Sequence, residues 1–193
     1  MSEDKLKVWS IAGSLRADSW NRKLLESAAA LAPDDVEVHI SDLLPQIPFF
    51  NEDLIGNEPA IVQQLRAEVA EADAVLIVTP EYNGMVPGVL KNLIDWITFP
   101  LFSCALMDKP VSLMGATSSK LGTSRAQSGL RQVFVYNRCL VVPSPEILVA
   151  FAHDAFDADG RLVDQMAIDR IAHHFAYLKK YARLAQMEEA VLS

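Results

Sequence analysis

Cysteine and histidine are scarce in this chain: two Cys and four His among 193 residues. Cys104 and Cys139 form no CxxC pair and suggest no disulfide framework, so a reduced, cytosolic protein is expected. His173 and His174 are adjacent, but without HExxH or a nearby Cys they read as a solvated face rather than a metal site. His39 and His153 have no local partner pattern. Positive charge is short as well, with 17 Lys and Arg against 25 Asp and Glu, a net charge of -8. That balance excludes the electrostatic footprint of a nucleic-acid or anionic-membrane binder. No apolar run approaches the ~20 residues of a membrane span. Met1–Lys5 lacks the basic start and apolar run of a signal peptide, which again favours a cytoplasmic location.

Several catalytic signatures are missing too. There is no GxxxxGK[ST] for a Walker-type NTPase, no GxGxxG after the first strand and no GxSxG elbow. What remains is a chain with 51% hydrophobic and 22% charged residues, the balance of a folded globule of one domain over 1–193.

Its pattern alternates strand and helix. Leu6–Ala12 is β-rich and stops at Gly13; Leu24, Leu25, Ala28 and Leu31 have helical spacing, ended by Pro33. Val36–Ile40 alternates as a second strand, followed by an irregular surface stretch through Pro45, Pro48 and Asn51. Pro59 can start a helix with Ile61, Val62, Leu65 and Val69 on one face. Ala74–Val78 is the continuous apolar strand of a sheet covered on both sides. Val89, Leu90, Leu93, Ile94 and Ile97 mark a third helix, Val111–Met114 a fourth strand, Arg125–Asn137 a helix and Cys139–Val142 a fifth strand. Ile168, Ile171, Phe175, Leu178, Ala182 and Ala185 mark a C-terminal helix. This is the order of an α/β doubly wound five-stranded parallel sheet with helices on both faces. Five strands favour the flavodoxin-like order 2-1-3-4-5. Trp9 and Trp96 are expected in its core, and Asp34–Asp35 and Glu188–Glu189 as solvated charge.

In such sheets, ligands bind beyond the carboxyl ends of the strands where the order reverses, between strands one and three. The loops after strands one, three and four therefore converge on one crevice. The first, GSLRADSWN from Gly13 to Asn21, enters a helix, and a helix N-terminus with unpaired N–H groups is an anion site. Ser14, Ser19 and Asn21 add donors, and Arg16 a planar charged fork suited to phosphate. The same residues also suit a plain capped helix start with a solvated Arg. The second loop, Thr79–Gly88, has two prolines and two glycines that fix a turn able to face a planar heterocycle, with Tyr82 and Met85 as apolar surface; taken without the first loop, it reads better as a turn with a chance aromatic. The third, Gly115–Arg125, is rich in small hydroxyl residues and could line a ring edge or be a surface loop.

GSLRADSWN, TPEYNGMVPGVLKNLIDW and GATSSKLGTSRAQSGLRQVF, in this order and spacing, resemble the NADPH-dependent FMN reductase family, which includes quinone, azo-dye and chromate reductases. The resemblance covers nearly the whole chain. It implies FMN as cofactor, NADPH or NADH as electron donor and a small-molecule electron acceptor. It places Ser14, Arg16, Ser19 and Asn21 at the FMN phosphate and ribityl chain, with Trp20 supplying backbone. Pro80, Glu81, Tyr82, Asn83 and Gly84 would border the isoalloxazine, and Ser118 its other side. Because the flavin carries the chemistry, no catalytic acid, base or nucleophile is implied. The resemblance also implies a homodimer or homotetramer. Arg125 and Glu146 match positions that pair across subunits in some quinone-reducing members, while Ser128 stands where those carry an aromatic residue. A flavodoxin-type electron carrier and a non-catalytic redox-sensing flavoprotein are the other readings; Arg16 argues against the carrier.

Overall fold

The apolar strand Ala74–Val78 is buried along its whole length, and the architecture follows from covering both of its faces. The computed structural model describes residues 5–101 and 103–192, the side chains of 188–192 aside. Six strands are described: β1 (Leu6–Ala12), β2 (Val36–Ile40), β3 (Ala74–Val78), β4 (Pro110–Ala116), β5 (Leu140–Val141) and β6 (Ile147–Val149). The helices are α1 (Trp20–Ala30), α2 (Ala60–Glu71), α3 (Gly88–Thr98), α4 (Ser124–Tyr136), α5 (Ala152–Ala155) and α6 (Gln165–Leu192). All sheet pairings are parallel, in the order β2-β1-β3-β4-β5. The flavodoxin-like order expected from the alternation is the observed one.

Two cores result. On one face, Leu24, Leu25 and Ala28 of α1 and Ile171, Phe175 and Leu178 of α6 pack on Val8, Leu76 and Met114. On the other, α2, α3 and α4 bring Val62, Leu65, Leu93, Trp96 and Phe134 against Trp9, Val75, Ile77 and Leu113. Trp9 and Trp96 are core residues, as their apolar flanks suggest. Leu31, at helical spacing in the sequence, is instead the exposed C-cap of α1. The stretch after β2 is not wholly superficial: Leu43 and Leu44 enter the second core, and Asn92 and Trp96 of α3 donate to the Pro48 carbonyl at 2.9 and 2.8 Å.

The fifth strand departs from expectation. It is broken into β5, beside the start of β4, and β6, beside its end. Pro143 and Pro145 lie in the gap and have no N–H to donate, which an edge strand tolerates. The freed carbonyls recruit side chains: Arg131 donates to Val142 at 2.9 Å, and His174 Nδ1 to Pro145 at 2.8 Å. His174 is therefore buried, not part of a solvated face, while His173 is exposed. Asp35 is exposed, as expected of solvated charge, and its carboxylate accepts from Lys179 at 2.9 Å. Glu188 and Glu189 have side chains outside the described set.

Beyond β6, Phe151 has φ +46°, in the left-handed region that a bulky side chain occupies at a cost. Its ring is half exposed, so little packing offsets the strain. Phe151→Asn is expected to stabilise the protein by ~1 kcal/mol, read as a Tm rise of ~2–4 °C. An unchanged or lower Tm would contradict this.

Candidate functional site

The crevice lies at the carboxyl ends of β1, β3 and β4, where the strand order reverses. Its first loop is anchored by Gly13, whose N–H donates to the Val78 carbonyl at 2.8 Å. A Cβ on Gly13 would stand 2.7 Å from Leu90 Cδ2, so any larger residue here would make the Leu90 side chain of α3 shift.

Two of the predicted ligand donors build the loop from within. Ser19 is the buried N-cap of α1, its hydroxyl accepting from the N–H groups of Asn21 and Arg22 at 3.2 and 3.4 Å. Asn21 is buried, its Oδ1 accepting from the Ala116 N–H at 2.9 Å and its Nδ2 donating to the Ala116 carbonyl at 3.0 Å. This pair of bonds staples α1 to the end of β4. The side chain expected to reach for phosphate is an internal brace, because the last residue of a buried strand leaves both of its backbone groups in need of partners.

Ser14 and Arg16 remain at the surface of the loop. Ser14 Oγ accepts from the Arg16 N–H at 3.3 Å, and among the described residues the Arg16 guanidinium donates to the Asp18 carbonyl alone, at 3.1 Å. The backbone N–H groups of Ser14, Leu15, Ala17, Asp18 and Trp20 have no acceptor among the described residues. The Lys23 ammonium pairs with the Asp18 carboxylate and holds it below the usual carboxylate range. Trp20 is half-buried, its indole stacked on Phe156 at 5.4 Å with Lys23 Nζ above the ring. Its side chain thus fixes the start of α1 and leaves the backbone for the crevice.

The second loop is a tight hairpin. Tyr82 and Met85 exchange both backbone hydrogen bonds, at 3.2 and 3.0 Å, around Asn83 (φ +53°) and Gly84 (φ +71°). An Asn-Gly pair with positive φ at both positions is the type I′ turn. Pro80 is buried, while Tyr82 and Met85 present exposed apolar surface. The Tyr82 hydroxyl lies 3.3 Å from Ser14 Oγ, joining the first two loops. Glu81 is engaged through one carboxylate oxygen: its Oε2 accepts from the N–H groups of Arg125 and Ala126. Ser118 is exposed on the third loop, which is pinned through Thr117 and Ser119 to the segment 149–152. That last segment was not among the sequence-derived candidates, since it meets the site only through long-range backbone bonds.

The donor set suits FMN. Free backbone amides and a fixed cation at a helix N-terminus accommodate a phosphate, and an exposed aromatic hairpin one contact away accommodates a planar ring. Residues 6–154 match the NADPH-dependent FMN reductase family. The chain belongs to that family. As a member it is an oxidoreductase using FMN and a nicotinamide donor. It is 40% identical to an NAD(P)H-dependent FMN reductase of Pseudomonas aeruginosa, covering 95% of this chain and 98% of that protein. It is 34% identical to a 2-hydroxy-1,4-benzoquinone reductase of a Burkholderia species, covering 92% and 94% of the two chains. Among solved structures, the flavoenzyme NAD(P)H:(acceptor) oxidoreductase FerB of Paracoccus denitrificans superposes with TM-score 0.80 at 29% identity, covering 94% of this chain and 97% of that one.

The other chemistry-bearing groups stay outside this site. Burial pushes the Cys139 thiol up to about 12, far from a reactive thiolate. Among the described residues no cluster of three His, Cys, Asp or Glu could hold a metal, and no helix is long and apolar enough to cross a membrane.

Proposed function

We propose that this reductase, acting as one FMN-binding domain over 1–193, holds FMN across the three loops and reduces small planar acceptors of the quinone or flavin class. The 3.3 Å contact between Ser14 Oγ and Tyr82 Oη carries the reading, because it makes a phosphate cradle and a ring-sized apolar edge continuous. Arg16, Ser14 and the free amides up to Trp20 take the phosphate. Pro80, Tyr82, Asn83 and Gly84 border the ring on one side and Ser118 on the other. Ser19, Asn21 and Glu81 shape these surfaces from behind. When bound, FMN supplies the redox chemistry, taking hydride from the nicotinamide and passing electrons onward.

In this reading the residues around the crevice orient and shield the flavin, and the flavin carries the chemistry. A homodimer or homotetramer would cover the exposed Tyr82 and Met85. Within one chain, however, the Arg131 guanidinium lies 3.8 Å from the Glu146 carboxylate. The free thiols of Cys104 and Cys139 fit a reducing, cytoplasmic setting.

The test is anaerobic mixing of the FMN-loaded protein with NADPH, then with a benzoquinone. The flavin absorption band should bleach and return. A band that NADPH and NADH both leave unchanged would remove the reductase reading and favour an electron carrier.

A further inference from the structure

Helix α4 starts without a cap of its own. Thr123 occupies the N-cap position, but its φ is +67° and its hydroxyl makes no bond to the first turn. The cause lies in β4. A Cβ on Gly115 would fall 1.9 Å from Thr123 Oγ1 and 2.9 Å from Thr123 Cβ. The Thr123 side chain therefore occupies the space a residue at 115 would need, and its hydroxyl accepts from Gln127 Nε2 at 3.1 Å instead. A helix start in this state needs acceptors from elsewhere.

They come from the neighbouring loop. Glu81 Oε2 accepts from the N–H groups of Arg125 at 2.9 Å and Ala126 at 3.1 Å. A carboxylate at a helix N-terminus is also favoured by the positive end of the helix dipole. The contact runs both ways, since a Cβ on Gly84 would meet Arg125 Cδ at 3.5 Å, placing the Arg125 stem against the hairpin tip. Glu81 immediately precedes the Tyr82–Met85 hairpin, and α4 immediately follows the loop that carries Ser118.

We infer that Glu81 is a positioning residue: it caps α4 from a different loop and so sets the spacing between the hairpin and the third loop, the two walls of the ring site. The inference rests on the crevice being the FMN site, and it reassigns Glu81 from a flavin contact to the tie between the walls. Any acceptor oxygen of the right reach should serve, so Gln should replace Glu where Ala cannot.

The experiment compares wild type with Glu81→Ala and Glu81→Gln in two measurements. In the FMN-free proteins, hydrogen exchange at the Arg125 and Ala126 amides should be about tenfold faster in Glu81→Ala and within about threefold of wild type in Glu81→Gln, the scale of a lost and a retained cap. By flavin-fluorescence titration, FMN should bind about tenfold more weakly to Glu81→Ala and close to normally to Glu81→Gln. Unchanged exchange at those amides in Glu81→Ala would overturn the cap. Faster exchange with unchanged FMN affinity would overturn the positioning role. Equal loss of affinity in both variants would show that the charge acts directly on the ligand, and would overturn it too. If wild type binds no FMN, the FMN reading fails, while the exchange measurement still decides the cap.

Discussion

Asn21→Ala should lower the stability of the FMN-free protein by ~2–4 kcal/mol. The side chain makes both hydrogen bonds available at Ala116, a buried residue at the carboxyl end of β4. Alanine would leave that N–H and C=O without partners, and each buried orphan costs ~1–3 kcal/mol. Urea unfolding of the FMN-free variant measures the loss. Arg16→Ala should do the opposite. Arg16 is exposed and bonds only to the Asp18 carbonyl, so stability should hold within ~0.5 kcal/mol while FMN affinity falls by ~1.5–3 kcal/mol. An Asn21→Ala protein of full stability with lost FMN would make Asn21 a ligand after all. Unchanged FMN affinity in Arg16→Ala would remove the phosphate role of Arg16.

A second large effect concerns acid. Burial, reinforced by the Arg131 charge, lowers the pKa of His174 to about 4 from its ordinary 6.5, although the Pro145 carbonyl pulls the other way. The fold therefore keeps the ring neutral, whereas the unfolded chain takes up a proton below pH 6.5. Between about pH 4 and 6.5 the unfolded state binds more protons, so stability rises with pH through that window and is fully present above it. Lowering the pH from 6.5 to about 4 should remove ~3 kcal/mol through this residue. Carboxylates held low by cations, such as Asp18 and Asp35, contribute losses only further down the pH scale. His174→Gln keeps a neutral side chain capable of donating to Pro145. Its urea stability should change less between pH 4 and 7 than that of wild type, by about the same ~3 kcal/mol. An identical pH slope in the two proteins would refute the assignment.

His174 also shows where the sequence stops being legible. Its helical spacing puts it on the same face as Ile171, Phe175 and Leu178, so burial was within reach of the pattern, but adjacency to His173 hid it. What the sequence did not show is its partner, the Pro145 carbonyl in the gap of the broken edge strand. The same limit applies to Asn21 and Glu81. The family resemblance implied that both would contact FMN, whereas the structure shows each bonded to backbone within the fold. Which atoms they hold depends on Ala116 and on the start of α4, 95 and about 45 residues along the chain. The exposed loop of Ser14 and Arg16 and the turn at Asn83–Gly84 were legible because their geometry is local. A loop entering a helix leaves amides free whatever surrounds it, and an Asn-Gly pair turns a hairpin by its own backbone preference.

The sequence by itself determined the strand order, the two covered faces and the convergence of three loops on one crevice. Hydrophobic period and turn chemistry are short-range properties that survive without tertiary context. Only the tertiary structure decided which polar side chains of these loops stay exposed and which bond to backbone within the fold. A hydrogen-bonding group buried beside an unpaired backbone amide serves that amide first, and the fold alone determines which amides are left unpaired.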